Sequence, residues 1–126
     1  MAEVAARVQS KRNETIAAIA EACGAPRYDH RLSDKILAAF NQAYASGVLD
    51  TARHLRALLA EVERRERVAN DRHGIGAVEK ADLWVAFVDA RNRYNALSVR
   101  KDSVPVHLET AIAAMMDAYR AWSDAA

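Results

Sequence analysis

Four histidines and one cysteine are the side chains of this chain that could hold a metal ion or act as a nucleophile. The histidines are scattered, at His30, His54, His73 and His107. Zinc sites need three or four converging ligands, and di-iron bundles use Glu-x-x-His pairs, which this sequence lacks. Cys23 ends a predicted helix, where the helix dipole disfavours a thiolate. The sequence therefore predicts no metal site, no cofactor and no catalytic residue.

The charge of the chain is balanced, with 18 Lys and Arg against 17 Asp and Glu and a formal net charge of +1. Such a balance leaves little field to attract nucleic acid or an anionic membrane. The third predicted helix is the local exception, because it and its end carry six arginines: Arg53, Arg56, Arg64, Arg65, Arg67 and Arg72. Acidic residues alternate with these arginines, so nucleic-acid binding through this helix is the alternative and not the main expectation.

The compartment is indicated by the cysteine count and by the lack of a long apolar run. A lone thiol at Cys23 allows no disulfide within the chain and fits a reducing compartment. The longest uncharged stretch, residues 36–49, is too short and too polar to cross a bilayer. We therefore expect a cytoplasmic protein that is not inserted in a membrane.

Helices are the expected elements, because no part of the chain shows sustained alternation of apolar and polar residues. Capping and stop signals predict five of them: about residues 3–23, from an N-cap at Ser33 to Gly47, from Val48 or Asp50 to Arg72, from Ala77 to Arg100, and onward from a cap at Asp102 or Ser103. The glycine corner favours an antiparallel hairpin. The expected fold is all-α, a single domain over residues 1–126 with two antiparallel helical hairpins plus an N-terminal helix.

Apolar stripes run along the first and last of these helices. The first has Val4, Val8, Ile16, Ile19 and Cys23, and the fifth has Leu108, Ile112, Met115, Tyr119 and Trp122. The second stripe is long for a terminal helix and must be covered. A symmetric dimer through Met115, Tyr119 and Trp122 would cover it, and so would docking on the fourth helix of the same chain. The sequence leaves both open.

The hairpin of the second and third predicted helices matches a known repeat motif. The matches are a large residue opening the first helix, an aromatic near its end, the corner glycine, the apolar residue after it and a small residue in the second helix: Ile36, Tyr44, Gly47, Leu49 and Ala52. Over about residues 33–62 the chain thus resembles a tetratricopeptide repeat. It departs from that pattern at Phe40, usually small, at Arg56, usually aromatic, and past Arg64, where no closing proline follows.

The resemblance implies a role in binding peptides or proteins. In tetratricopeptide repeats the first helix of each hairpin lines a concave groove. Carried over to this chain, that groove contains Leu37, Asn41 and Tyr44 and, if residues 86–90 are an internal repeat of residues 39–43, also Trp84, Val88 and Arg91. We therefore expect a non-enzymatic protein- or peptide-interaction module.

Overall fold

The computed structural model describes residues 31–70 and 75–125, which form four helices with no strand among them. The helices are α1 (Leu32–Ala45), α2 (Leu49–Asn70), α3 (Ala77–Ser98) and α4 (Pro105–Ala125). They correspond to the second to fifth predicted helices, and the all-helical class is confirmed. The predicted first helix, residues 3–23, lies outside the described residues, so the described part shows four helices and not the five predicted for the whole chain.

The corner between α1 and α2 is built on a glycine in the left-handed region. Gly47, the predicted corner glycine, has φ +79°. Its N–H donates to the Tyr44 carbonyl at 3.1 Å, and the N–H of Val48 donates to the Ala43 carbonyl at 2.9 Å. This pair of bonds satisfies carbonyls at the end of α1 and turns the chain back on itself. The two helices therefore form the expected antiparallel hairpin.

Two predicted helix caps are wrong. α1 begins one residue before Ser33, with Arg31 in the N-cap position, and the Ser33 side chain bonds to Glu66 of α2. α4 begins at Pro105, and the Ser103 hydroxyl donates to the Leu97 carbonyl at 2.6 Å instead of capping α4. Serine is a general capping residue, but in both places the hydroxyl bonds to a residue of another helix instead.

The four helices share one core, with α3 at its centre. α3 packs against α1 and α2, and α4 packs on α3. Large side chains from all four helices are almost fully buried there: Phe40, Leu59, Trp84, Phe87 and Met115. α1 and α3 run parallel, and α2 and α4 run in the opposite direction. The amino ends of α1 and α3 therefore lie at the same end of the bundle, beside the carboxyl end of α2.

Candidate functional site

The predicted peptide groove is brought together by the fold, but most of it lies inside the core. Leu37 is 2% exposed, and Asn41, Trp84 and Val88 are fully buried. The Trp84 indole N–H donates to the Asn41 carbonyl at 2.8 Å, which joins α3 to α1. The prediction that these four side chains line an open groove is therefore wrong, because they fill the packing between helices and cannot touch a peptide in this conformation.

The other two predicted groove residues, Tyr44 and Arg91, form hydrogen bonds between α1 and α3. Arg91 Nη2 donates to the carbonyl of Ala45, the last residue of α1, at 3.0 Å. A cation at this position satisfies an otherwise unbonded carbonyl and complements the helix dipole. The Tyr44 hydroxyl donates to Asp89 Oδ1 at 2.8 Å. Burial, then this hydrogen bond and the charge of Asp89, raise the pKa of Tyr44 above its usual value.

Two glutamates of α2 cap the helices on either side of it. Glu66 accepts bonds from the Ser33 hydroxyl at 2.5 Å and from the Ser33 N–H at 3.3 Å, at the start of α1. Glu63 accepts from the N–H groups of Ala77 at 2.7 Å and Val78 at 3.1 Å, at the start of α3. Since the two glutamates are three residues apart, they lie on one side of α2. One helix thus supplies carboxylates to two helix amino ends.

These caps line a polar cleft of about 190 Å³, which we call the capping cleft (Ser33, Glu63, Glu66, Arg67, Gly76 and Lys80). Helix amino ends attract anions, but here both ends already hold carboxylates of the chain itself. A Cβ at Gly76 would overlap the present positions of the Glu63 carboxylate and the Arg67 guanidinium, so a larger residue before α3 would have to displace these side-chain ends. The arrangement therefore positions α1 and α3 on α2, and an external anion would have to displace a glutamate.

The capping glutamates are the residues that sequence reasoning missed. The spacing of Glu63 and Arg67 indicates an exposed ion pair, and the pair does form, at 3.1 Å. However, only 15% of the Glu63 side chain is exposed, against 50% for Glu61 in the similar pair with Arg65. No local signal separates these two glutamates. The three-residue spacing of Glu63 and Glu66 on one face of α2 was the only available hint.

Most of the apolar stripe of α4 is covered within the chain, although Ile112 is 38% exposed. Met115 is 1% exposed. The Trp122 ring lies 4.9 Å from that of Trp84, and the Tyr119 ring lies 5.6 Å from that of Phe87, measured between ring centroids. The structure thus shows α4 docked on α3, one of the two arrangements that the sequence left open. Self-association stays a prediction, and this stripe no longer requires it.

The arginines of α2 are largely paired with carboxylates. Arg53 pairs with Asp50, Arg56 with Asp82, Arg65 with Glu61 and Arg67 with Glu63, at N–O distances of 2.6 to 3.3 Å. Binding of a nucleic-acid backbone needs cations that are not already neutralised. This face of α2 therefore offers little unopposed positive charge.

An open apolar surface lies on the other side of the hairpin, away from α3. A groove of about 350 Å³ runs there between Ala39, Gln42, Ala43 and Ser46 on one side and Val48, Thr51 and Leu55 on the other. We call this surface the hairpin flank, and at 100° per residue Leu32 and Leu58 continue it along α1 and α2. Leu32, Val48 and Leu58 are 47 to 59% exposed.

Two further properties concern the residues in the described ranges. No group of three His, Cys, Asp or Glu residues lies close enough there to hold a metal ion. None of the helices in these ranges is both long and apolar enough to cross a membrane.

Comparison with known proteins found no family model, no curated protein and no solved structure that matches this chain. The functional assignment therefore rests on the described surfaces alone.

Proposed function

We propose that this chain is a non-enzymatic interaction module, acting in the cytoplasm, that binds an amphipathic helix of a protein partner on the hairpin flank. One observation carries the proposal. Three large apolar side chains, Leu32, Val48 and Leu58, are about half exposed along this one side of the hairpin. Contiguous exposed apolar surface is typical of a binding site.

A helix is the partner that suits the shape of this surface. The α1 side of the groove carries the small residues Ala39 and Ala43, which let an incoming helix approach closely. The α2 side carries Leu55 and, one turn on, Leu58. A helix bound in a groove inserts apolar side chains that are three and four residues apart along its sequence. Side chains with this spacing can pack into the groove between α1 and α2.

Tetratricopeptide-like local geometry is part of the same proposal. It is supported by the Gly47 corner and by the parallel placement of α1 and α3, which would be the first helices of two successive hairpins. Phe40 and Phe87, equivalent positions in the suggested internal repeat, are both in the core. The exposed flank then corresponds to the free edge of the first hairpin. Nucleic-acid binding is less well supported, since four arginines of α2 are paired with carboxylates.

The test places a photo-crosslinking residue at position 58 in the source cells and compares it with the same residue at position 113, which is exposed on α4. Crosslinks to one protein from position 58, absent from position 113, identify the partner. The dissociation constant of the purified partner is then measured for Leu58→Glu, for Ala39→Glu and for the matched control Ala113→Glu. We expect at least a tenfold loss of affinity for the first two variants and no change for the control. Equal loss in all three would contradict the proposal.

A further inference from the structure

Two cations extend the hairpin flank at the end where Leu32 lies. The residues that line the groove itself are all uncharged. Lys35 precedes Gln42, one of these lining residues, by seven positions, and Arg65 follows Leu58 by seven. Since seven residues make almost two full helical turns, each cation continues a line of flank residues along its own helix. Both of these side chains are exposed.

The two cations lie opposite each other across the flank. The Ser33 hydroxyl of α1 donates to Glu66 of α2, and this bond shows at which level the two antiparallel helices meet. Lys35 lies two residues after Ser33, and Arg65 lies one residue before Glu66. The two cations are therefore at about the same level, one on each side of the groove. A bound helix, about 10 Å across, passes between them as it leaves the apolar part of the flank.

The net charge at this end of the flank is positive. None of the ion pairs formed among residues 31–70 and 75–125 includes Lys35. Arg65 Nη2 donates to Glu61 Oε1 at 2.6 Å, but these side chains are 71% and 50% exposed. A guanidinium carries five N–H donors, so Arg65 can bond a second carboxylate while it keeps Glu61. The other carboxylates of α1 and α2 are held in ion pairs or as helix caps: Asp34, Asp50, Glu63 and Glu66.

We infer that the partner helix is acidic at the end that lies between Lys35 and Arg65. This inference rests on the function proposed above for the hairpin flank and names the chemistry of the partner. Apolar side chains of the partner fill the uncharged groove, and its carboxylates pair with the two cations. Charge complementarity of this kind excludes a helix with basic residues at that end and speeds the encounter with an acidic one.

The length of the flank matches a short helix. Between Ser46 and Lys35, α1 rises by about 16 Å, which is three turns. Three apolar anchors spaced four and three residues apart occupy two of these turns. The third turn of the partner then lies at the level of the cations and carries the carboxylates.

The test measures the binding of synthetic probes by fluorescence anisotropy. Each probe is a fluorescein-labelled, hydrocarbon-stapled helical peptide with three leucines spaced four and three residues apart. The probes differ only in one terminal turn, which carries two glutamates, two glutamines or two lysines. This turn is placed at the amino end in one set and at the carboxyl end in another, because either end of a helix can be the acidic one. We expect one glutamate probe to bind about fivefold more tightly than its glutamine counterpart, and the lysine probe to bind more weakly than both.

Charge reversal shows whether the two cations cause this preference. Lys35→Glu and Arg65→Glu are each expected to remove most of the difference between the glutamate and glutamine probes. Arg53→Glu is the matched control, because Arg53 is also exposed and paired with an acid of its own helix, but lies about 140° around α2 from Leu58. It should leave the preference unchanged. Circular dichroism is used to check that each variant keeps its helicity.

Failure of the inference and failure of the proposed function give different results. Equal binding of the glutamate, glutamine and lysine probes, lost in Leu58→Glu, would overturn the acidic partner and keep the flank as a helix-binding site. A glutamate preference that persists in both Lys35→Glu and Arg65→Glu would do the same. Binding that Leu58→Glu does not weaken, or no binding of any probe, would overturn the inference together with the proposed function.

Discussion

Glu63→Ala is the substitution that best tests the capping role assigned to α2. It removes the acceptor for the Ala77 and Val78 N–H groups, at 2.7 and 3.1 Å, and the ion pair with Arg67. Loss of a helix cap costs about 1 kcal/mol, and loss of a carboxylate near a helix amino end about 0.5 to 1 kcal/mol more. The half-exposed ion pair adds only about 0.3 kcal/mol. We therefore expect a loss of about 2 kcal/mol in the free energy of unfolding.

That loss is measurable for a chain of this size. It corresponds to a decrease in Tm of about 8 °C, at roughly 4 °C per kcal/mol. The capping cleft is open enough for water to reach the two N–H groups, so we do not add the full cost of a buried unsatisfied donor. Urea unfolding followed by circular dichroism gives the free energy. Hydrogen exchange at Ala77 and Val78 shows whether the start of α3 is the part that loosens.

Glu61→Ala is the matched control, because Glu61 lies on the same helix and also pairs with an arginine four residues on. Its side chain is half exposed and caps no helix, so we expect a loss of at most about 0.5 kcal/mol. Glu63→Gln keeps an acceptor oxygen and should fall between the two alanine variants. Equal losses for Glu61→Ala and Glu63→Ala would refute the capping argument.

Three shorter predictions follow from other parts of the fold. Gly47→Val should lower the free energy of unfolding by about 1 to 2 kcal/mol, because φ is +79° there, while Gly47→Asn should lower it less; calorimetry decides. The raised pKa of Tyr44 means that the folded state keeps that proton longer than the unfolded state. Stability is therefore full below about pH 10 and falls as the pH rises toward the folded-state pKa, and Tyr44→Phe should flatten that fall in urea titrations. Trp122→Ala should lower stability by about 2 kcal/mol without changing the mass seen by sedimentation equilibrium, and a change from dimer to monomer would show that Trp122 also contributes to self-association.

The parts of the fold that were predictable depend on local signals. A glycine after an amphipathic run fixed the corner at Gly47, and the start of α3 at Ala77 follows the break at Gly74 and Gly76. The start of α1 was missed by two residues, because the acceptor for Ser33 is 33 residues away on α2. Sequence spacing identifies a cap, but it does not identify a partner from another helix.

The candidate site was harder to predict, because exposure depends on how helices face one another. Asn41 is polar and was expected on a surface. Its backbone carbonyl instead accepts a hydrogen bond from the Trp84 indole N–H, and its side chain is buried. The hairpin flank escaped notice for the opposite reason. Ala39 and Ala43 form no recognisable apolar stripe in the sequence. They are open to solvent because α3 packs on the other side of the hairpin.

The polar bonds between helices make each helix end depend on a neighbour. Glu66 and Glu63 of α2 complete the amino ends of α1 and α3, and Arg91 of α3 completes the carboxyl end of α1 at Ala45. Repeat arrays, in contrast, gain stability mostly from apolar contacts between neighbouring units and can open from one end. Here, opening α3 would remove the Arg91 contact from the carboxyl end of α1, together with the apolar contacts that α3 makes with both α1 and α2. We therefore expect the amides in the last turn of α1 to exchange with the same free energy of opening as those in the middle of α3. Faster exchange at Ala45 than at Val88 by more than about tenfold would show that the two helices open separately.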